Sequence, residues 1–328
     1  MWLNKQNYLE EADLENLTDE ELEYRRYLRR RIRQRKRRRQ VMMARALVAV
    51  IGILIVICLF LLVRAGVNYV IDKKDGKNKK TTPTESPTKK PEIIIPEGYE
   101  KIYKQLEPLL GEYPQSEGIL MNLSQYPENI LNLFINNQET LSFVLNYPKH
   151  KNDSASSGEI SEEEVADGKI PDLKQWDERW GYVKYGNEIL AISGCGPTCM
   201  SMVYSGLLKN TSMSPSDMAE YCTDKNYYSQ DTGTSWMMMS EGAKDLGLDA
   251  DKIAISSIKA ALEAGKPVIC SMAPGDFTEQ GHFIVLAGID SKGKIIVNDP
   301  NSIARSVKHW NLQKIQPQVK AAWSYSVP

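Results

Sequence analysis

The six residues Ser193-Gly194-Cys195-Gly196-Pro197-Thr198 constrain the fold of this chain more than any other stretch. They place a thiol at the first turn of a helix that continues through Cys199, Met202, Val203 and Gly206 as one apolar stripe. Gly194 and Gly196 allow a sharp backbone turn and close approach of a substrate, and Pro197 suits a first helical position, where its missing N–H would be unpaired anyway. A thiol at a helix N-terminus sits in the positive end of the macrodipole, which lowers its pKa, the more so beside an imidazole. The fold must therefore bring a histidine to the start of this helix.

The chain has three histidines. His150 lies in a Lys-flanked stretch and His309 beside Trp310, whereas His282 opens the strongest strand signal, Gly281-His282-Phe283-Ile284-Val285-Leu286. That strand turns through Ser291-Lys292-Gly293 and returns as Lys294 to Pro300, a hairpin pattern that carries Asn298 and Asp299 back towards His282. Cys, His and Asn/Asp in this order are the parts that thiol acyl transfer requires. Three other readings compete. Cys195 could be a plain core residue, Asp299-Pro300 a plain turn, and Cys195, Cys199, Cys222 and His282 a zinc site, although no second paired-ligand motif follows.

Gln175-Trp176-Asp177, Gly194 to Thr198, Gly233-Thr234-Ser235-Trp236, Gly265-Lys266-Pro267-Val268, Gly281-His282-Phe283 and Asn298-Asp299-Pro300 together resemble cysteine peptidase family 39. These are the bacteriocin-leader-processing peptidases, and the likeness is to their stand-alone bacterial relatives. It spans about residues 171 to 328. The resemblance implies an α+β, papain-like fold with a helical half and an antiparallel sheet half. It implies Cys195 as nucleophile, His282 as general base and acid, and Asp299 as the residue orienting the imidazole, with Asn298 as the alternative for that third role. The family's oxyanion-hole glutamine commonly stands shortly before the cysteine, at a position held here by Ile189. The matching Gln175 is twenty residues upstream, so the segment Tyr182 to Leu190, read as a hairpin, must loop out for it to reach the site.

The net charge of −1 conceals a strong asymmetry. Residues 25–45 carry twelve Lys/Arg and no acid, and eighteen uncharged, mostly apolar residues follow from Ala46 to Val63. The pattern predicts a transmembrane helix over 46–66 behind a basic tail, 1–45, that stays in the cytoplasm. A cleaved signal peptide fits less well, because the charged lead is long and no small-residue cleavage pair follows. The basic run then serves topology and contact with anionic lipid, and no nucleic-acid partner is expected.

Residues 67–96 form a polar linker rich in Lys, Thr, Pro and Ser, and 97–150 show helical periodicity broken at Tyr113-Pro114, Tyr126-Pro127 and Tyr147-Pro148. An acidic linker, 151–169, separates this helical segment from the module 170–328. A second hypothesis has the helical segment packed on that module and shaping or covering its cleft. In the module, helices are expected over Met213 to Cys222, Ser235 to Leu246 and Ser257 to Ala264, with a buried strand from Pro267 to Met272. Cys199 reads as core, and a bridge from Cys222 to Cys199 or Cys270 stays open. No metal, nucleotide or redox-cofactor motif is present, so no cofactor is expected. The reading is a membrane-anchored, extracytoplasmic cysteine peptidase acting on a peptide or protein. The alternatives are an amidase for cell-wall peptides, and a peptide-binding adaptor without turnover.

Overall fold

The computed structural model describes residues 93–166, 168–230 and 233–328. The expected basic tail, the span 46–66 and most of the 67–96 linker lie outside the described residues. Among the described residues, no helix is long and apolar enough to cross a membrane. Lys90–Pro328 forms one compact unit.

Four helices open it: α1 (Glu100–Leu106), α2 (Glu117–Leu120), α3 (Glu128–Asn136) and α4 (Leu141–His150). Proline ends the expected pattern at Pro114 and Pro127. Pro148, expected to break the chain, instead lies within α4 near its end. The apolar stripes Ile102/Leu106, Ile130/Leu131/Phe134 and Phe143/Val144 meet in a core that also takes Tyr182 and Ala191 from the following module. The Phe143 and Tyr182 rings stack at 4.1 Å, and a Cβ on Gly181 would fall 2.7 Å from the Phe143 ring, so only glycine allows this approach.

The stretch 151–169 does not act as a free spacer. Ile160 and Val165 are buried in the module's core, and the Arg179 guanidinium binds both Glu164 oxygens at 3.0 Å. Two apolar residues and one cation suffice to strap an acidic strip to the surface.

The module continues with the hairpin β1 (Lys184–Tyr185) and β2 (Glu188–Ile189), then α5 (Leu190–Ser193), α6 (Cys195–Leu208) and α7 (Pro215–Asp224). A short pair, β3 (Tyr228–Ser229) and β4 (Gly233–Thr234), leads to α8 (Glu241–Asp245), β5 (Asp249–Ile253), α9 (Ile258–Glu263), β6 (Val268–Met272), β7 (His282–Ile289) and β8 (Ile295–Asn298). The chain closes with α10 (Ile303–Val307), α11 (Leu312–Ile315) and β9 (Val319–Ser326). The five-stranded sheet is antiparallel throughout, in the order β5-β9-β6-β7-β8.

Strand periodicity sorts the core: Ile269, Phe283 and Val285 face the layer of α6, while Cys270, Ile284 and Leu286 face that of α9. The helix expected over Ser235 to Leu246 is two pieces, a 3₁₀ turn Trp236–Met239 and α8, divided at Ser240. Met238 and Met239 are core, whereas Trp236 and Met237 are exposed. The helical half thus precedes a mixed, sheet-rich half, with α6 laid against β7.

Candidate active site

Cys195 is the first residue of α6, with Gly194 as N-cap. A Cβ on Gly194 would lie 2.4 Å from the Leu190 carbonyl oxygen, and one on Gly196 2.5 Å from the Thr234 side chain. These glycines are therefore required because α5 and β4 crowd the helix start. Pro197 is the third residue of the helix, not the first as expected, but still within the first turn, where no N–H is needed.

His282 is the first residue of β7, paired in register with Met272 on β6. The β7–β8 pairing sets Val285 opposite Asn298, and Asp299 follows directly. His282 Nε2 and Asp299 Oδ1 stand 2.8 Å apart, and both side chains are buried. Asn298 turns elsewhere: its Nδ2 donates to the carbonyls of Ile170 at 2.9 Å and Pro171 at 3.0 Å, fastening the module's leading segment. The structure thus brings Asp299, and not Asn298, to the imidazole.

Asp299 is fully buried, and several groups compensate its charge. Oδ1 accepts the Asn301 N–H at 2.8 Å as well as facing His282, and Oδ2 accepts from Arg305 Nε. The Asp299 N–H donates to Ser306 Oγ at 2.9 Å, and its carbonyl accepts from the buried Lys174 ammonium at 2.8 Å. Lys174 in turn pairs with Asp172. Burial alone would raise the Asp299 carboxyl, but His282 and Arg305 outweigh it and bring it down to about 2. None of Arg305, Lys174, Asn301 and Ser306 was singled out from the sequence. Only Lys174, a cation directly before the Gln175-Trp176 motif, carried a visible signal there.

Burial disfavours a charged imidazole, yet Asp299 and the neighbouring thiol push His282 up to about 10. For Cys195 the order is the same: burial raises the thiol most, but the His282 imidazole and the N–H groups of Phe283 and Gly196 together hold it below its ordinary value. With Nε2 directed at Asp299, Nδ1 is the ring nitrogen left for Cys195. A depressed thiol beside an elevated imidazole is an arrangement that favours thiolate and imidazolium at neutral pH. Cys199, Cys222 and Cys270 are free, buried thiols, and burial raises all three, Cys222 to about 12. No disulfide joins them. Among the described residues, no group of three or more His, Cys, Asp or Glu side chains is gathered as a metal ion would need.

Gln175 is buried and lines a cavity of about 530 Å³ together with Cys195, His282 and Arg305. The twenty-residue separation is absorbed as expected, the β1–β2 hairpin looping out between Gln175 and the cysteine. Gln175 Nε2 donates to the Ala191 carbonyl at 2.7 Å and more weakly to that of Ile192 at 3.3 Å, while Oε1 has no partner. The loop 275–281 forms the opposite rim. Trp236 and the methionines beside it are not part of this lining.

Residues 169–327 match the model of the Peptidase_C39 like family. Among solved structures, the peptidase domain of Streptococcus ComA, a bi-functional ABC transporter involved in a quorum sensing pathway, is similar. It is 20% identical, the match covers 42% of this chain and 93% of that one, and the TM-score is 0.33. No curated protein matches the chain. The C39-like module, a mixed helix and antiparallel sheet, is in general terms a cysteine peptidase module.

Proposed function

We propose that the C39-like module hydrolyses peptide bonds through Cys195, His282 and Asp299, and that residues 46–66 anchor it to a membrane with the module on the extracytoplasmic side. The observation that carries the enzymatic part is the Nε2 to Oδ1 contact of 2.8 Å behind a thiol whose pKa is lowered by the same imidazole. The anchor rests on the sequence alone, on the uncharged run Ala46 to Val63 behind a basic tail.

In this reading Cys195 Sγ attacks the substrate carbonyl carbon. The C–N bond breaks as the His282 Nδ1 proton passes to the leaving nitrogen, which departs as an amine and leaves a thioester. Water, giving its proton to Nδ1, then attacks the thioester, and that proton returns to sulfur as the acid leaves. Asp299 holds the imidazole and stabilises its charge. The Cys195 N–H donates to the developing oxyanion, joined by Gln175 Nε2 once it gives up its weaker 3.3 Å contact with the Ile192 carbonyl.

The test is cleavage of a degenerate quenched-fluorescent decapeptide pool by the full-length protein and by its Cys195→Ala variant, with products sequenced by mass spectrometry. Cleavage that needs Cys195 supports the peptidase. Cleavage of cell-wall peptides alone would make the module an amidase of the same chemistry. Binding with no turnover of either would leave an adaptor, and the proposal would fall. For the anchor, carbonate-resistant membrane association that is lost on deleting residues 46–66 is the expected result.

A further inference from the structure

The cavity at Cys195 continues into a second one of about 310 Å³, and the two share Asn136, Gln175, Ile192 and Asn301 in their walls. They form one groove. Its far wall is not part of the C39-like module at all: it is α3, from the helical segment that precedes it.

Two asparagines of that wall stand out. Asn132 and Asn136 are four residues apart, on one face of α3, and neither side chain makes a hydrogen bond within the described residues. Their neighbours are committed elsewhere. Asn129 donates to Glu188 and accepts from Ile130 N–H, while Asn137 donates to the Asn301 carbonyl at 2.6 Å. These contacts fix the helix against the module and leave the carboxamides of Asn132 and Asn136 free to serve the groove. Leu133 and Ile192 add apolar surface to the same groove.

The chemistry of this wall selects an occupant. A carboxamide offers a donor and an acceptor together, as a peptide unit does. Positions four apart on a helix set Cβ atoms ~5–6 Å apart, and alternate residues of an extended chain repeat at ~6–7 Å, so two such side chains can meet successive like-facing peptide units. Resting on the peptidase reading above, we propose that Asn132 and Asn136 bind the backbone of an extended polypeptide substrate away from the bond that is cut. The helical segment is then part of the enzyme's recognition surface and sets a preference for long over short peptides.

The experiment separates binding from turnover. Anisotropy of a labelled degenerate decapeptide pool is measured on full-length Cys195→Ala and on the same protein carrying Asn132→Leu and Asn136→Leu, which keep the side-chain volume. A labelled dipeptide pool and a chitin tetrasaccharide run alongside, and thermal melting checks folding. An Asn132→Ala/Asn136→Ala pair provides a second route should the leucines disturb the helix. Loss of two hydrogen bonds predicts decapeptide binding weaker by ~5- to 100-fold, with a smaller change for the dipeptides. Unchanged decapeptide binding overturns the inference. So does a pool that binds neither protein, or a loss confined to the sugar, which would assign the groove to a glycan. If the decapeptides bind through the asparagines but the protein with Cys195 intact never cleaves them, the peptidase reading falls and the groove stands.

Discussion

Asp299→Asn removes the charge that holds His282 protonated while keeping a side chain of the same shape. The ring and carboxylate are in direct contact at 2.8 Å, which sets their charge centres ~4 Å apart; at an effective dielectric of ~20 the attraction is ~4 kcal/mol, or ~3 pK units. That is the largest single part of what pushes the imidazole up to about 10; the hydrogen bond to Asp299 and the neighbouring Cys195 supply the rest against the opposing effect of burial. Without it, the equilibrium between thiolate–imidazolium and thiol–imidazole moves ~10³-fold toward the neutral pair, and burial acts on Cys195 almost unopposed. The assay is the pH profile of iodoacetamide alkylation at Cys195, read by peptide mass spectrometry beside the inert Cys199. In the wild type the acid limb lies below the ordinary thiol range. In Asp299→Asn it moves up by two units or more, on the order of the lost charge interaction, and kcat for peptide cleavage falls with it. If the two alkylation limbs coincide, the reasoning fails, because His282 would then be charged for some reason other than Asp299.

Gln175→Ala is expected to lower kcat by ~10²–10³ with a smaller effect on KM, which steady-state kinetics on the decapeptide pool measures. Arg305→Met raises the Asp299 carboxyl from about 2, so the stability that Asp299 supplies, present above its unfolded value and lost as pH falls through its folded one, disappears at a higher pH; the acid-unfolding midpoint should rise. His282 has the opposite sign: its contribution is complete below ~6.5 and is lost as pH rises through about 10, so melting temperature should drop across that upper limb in the wild type and far less in His282→Gln. Glu139→Ala removes the carboxylate that accepts the Ile303 N–H at 2.7 Å and the Ala304 N–H at 2.8 Å. The cost should be ~1 kcal/mol in denaturant melts, with reduced turnover because α10 carries Arg305.

Cys195, His282 and Asp299 were legible because their setting is local: glycines before a helix, a strand opening on histidine, and a hairpin that must bring its far end back. Gln175 was legible as part of a motif, and the β1–β2 hairpin confirms how twenty residues are looped out. What escaped was the shell around Asp299. Arg305 lies on a five-residue helix with no periodicity to place it, and Glu139 is fixed to α10 from more than a hundred and sixty residues away, a distance at which sequence pattern says nothing. β9 was missed for a different reason. Its run Val319-Lys320-Ala321-Ala322-Trp323-Ser324-Tyr325-Ser326 is rich in small and polar residues, yet it lies inside the sheet between β5 and β6, where both faces are covered. Small side chains are what such a position allows, and they erase the alternation by which strands are read.

In the proposed mechanism, the arrangement around Asp299 would make the cysteine the group that is activated. A buried carboxylate must be compensated, and two cations are in contact with its residue, but they are not equivalent. Lys174 meets the Asp299 carbonyl and is already paired with Asp172. Arg305 meets the carboxylate itself, yet its side chain is 28% exposed, so solvent screens part of its charge. His282, 7% exposed, faces the same carboxylate with little screening. The uncompensated part of the Asp299 field therefore falls mainly on the imidazole and draws a proton onto it. In the proposed mechanism the donor of that proton is Cys195, whose thiolate the Gly196 and Phe283 N–H groups would stabilise at the start of α6 and β7. Full burial of Arg305 would weaken this pull, which makes its position on the rim of the cleft a means of setting the charge state of the thiol.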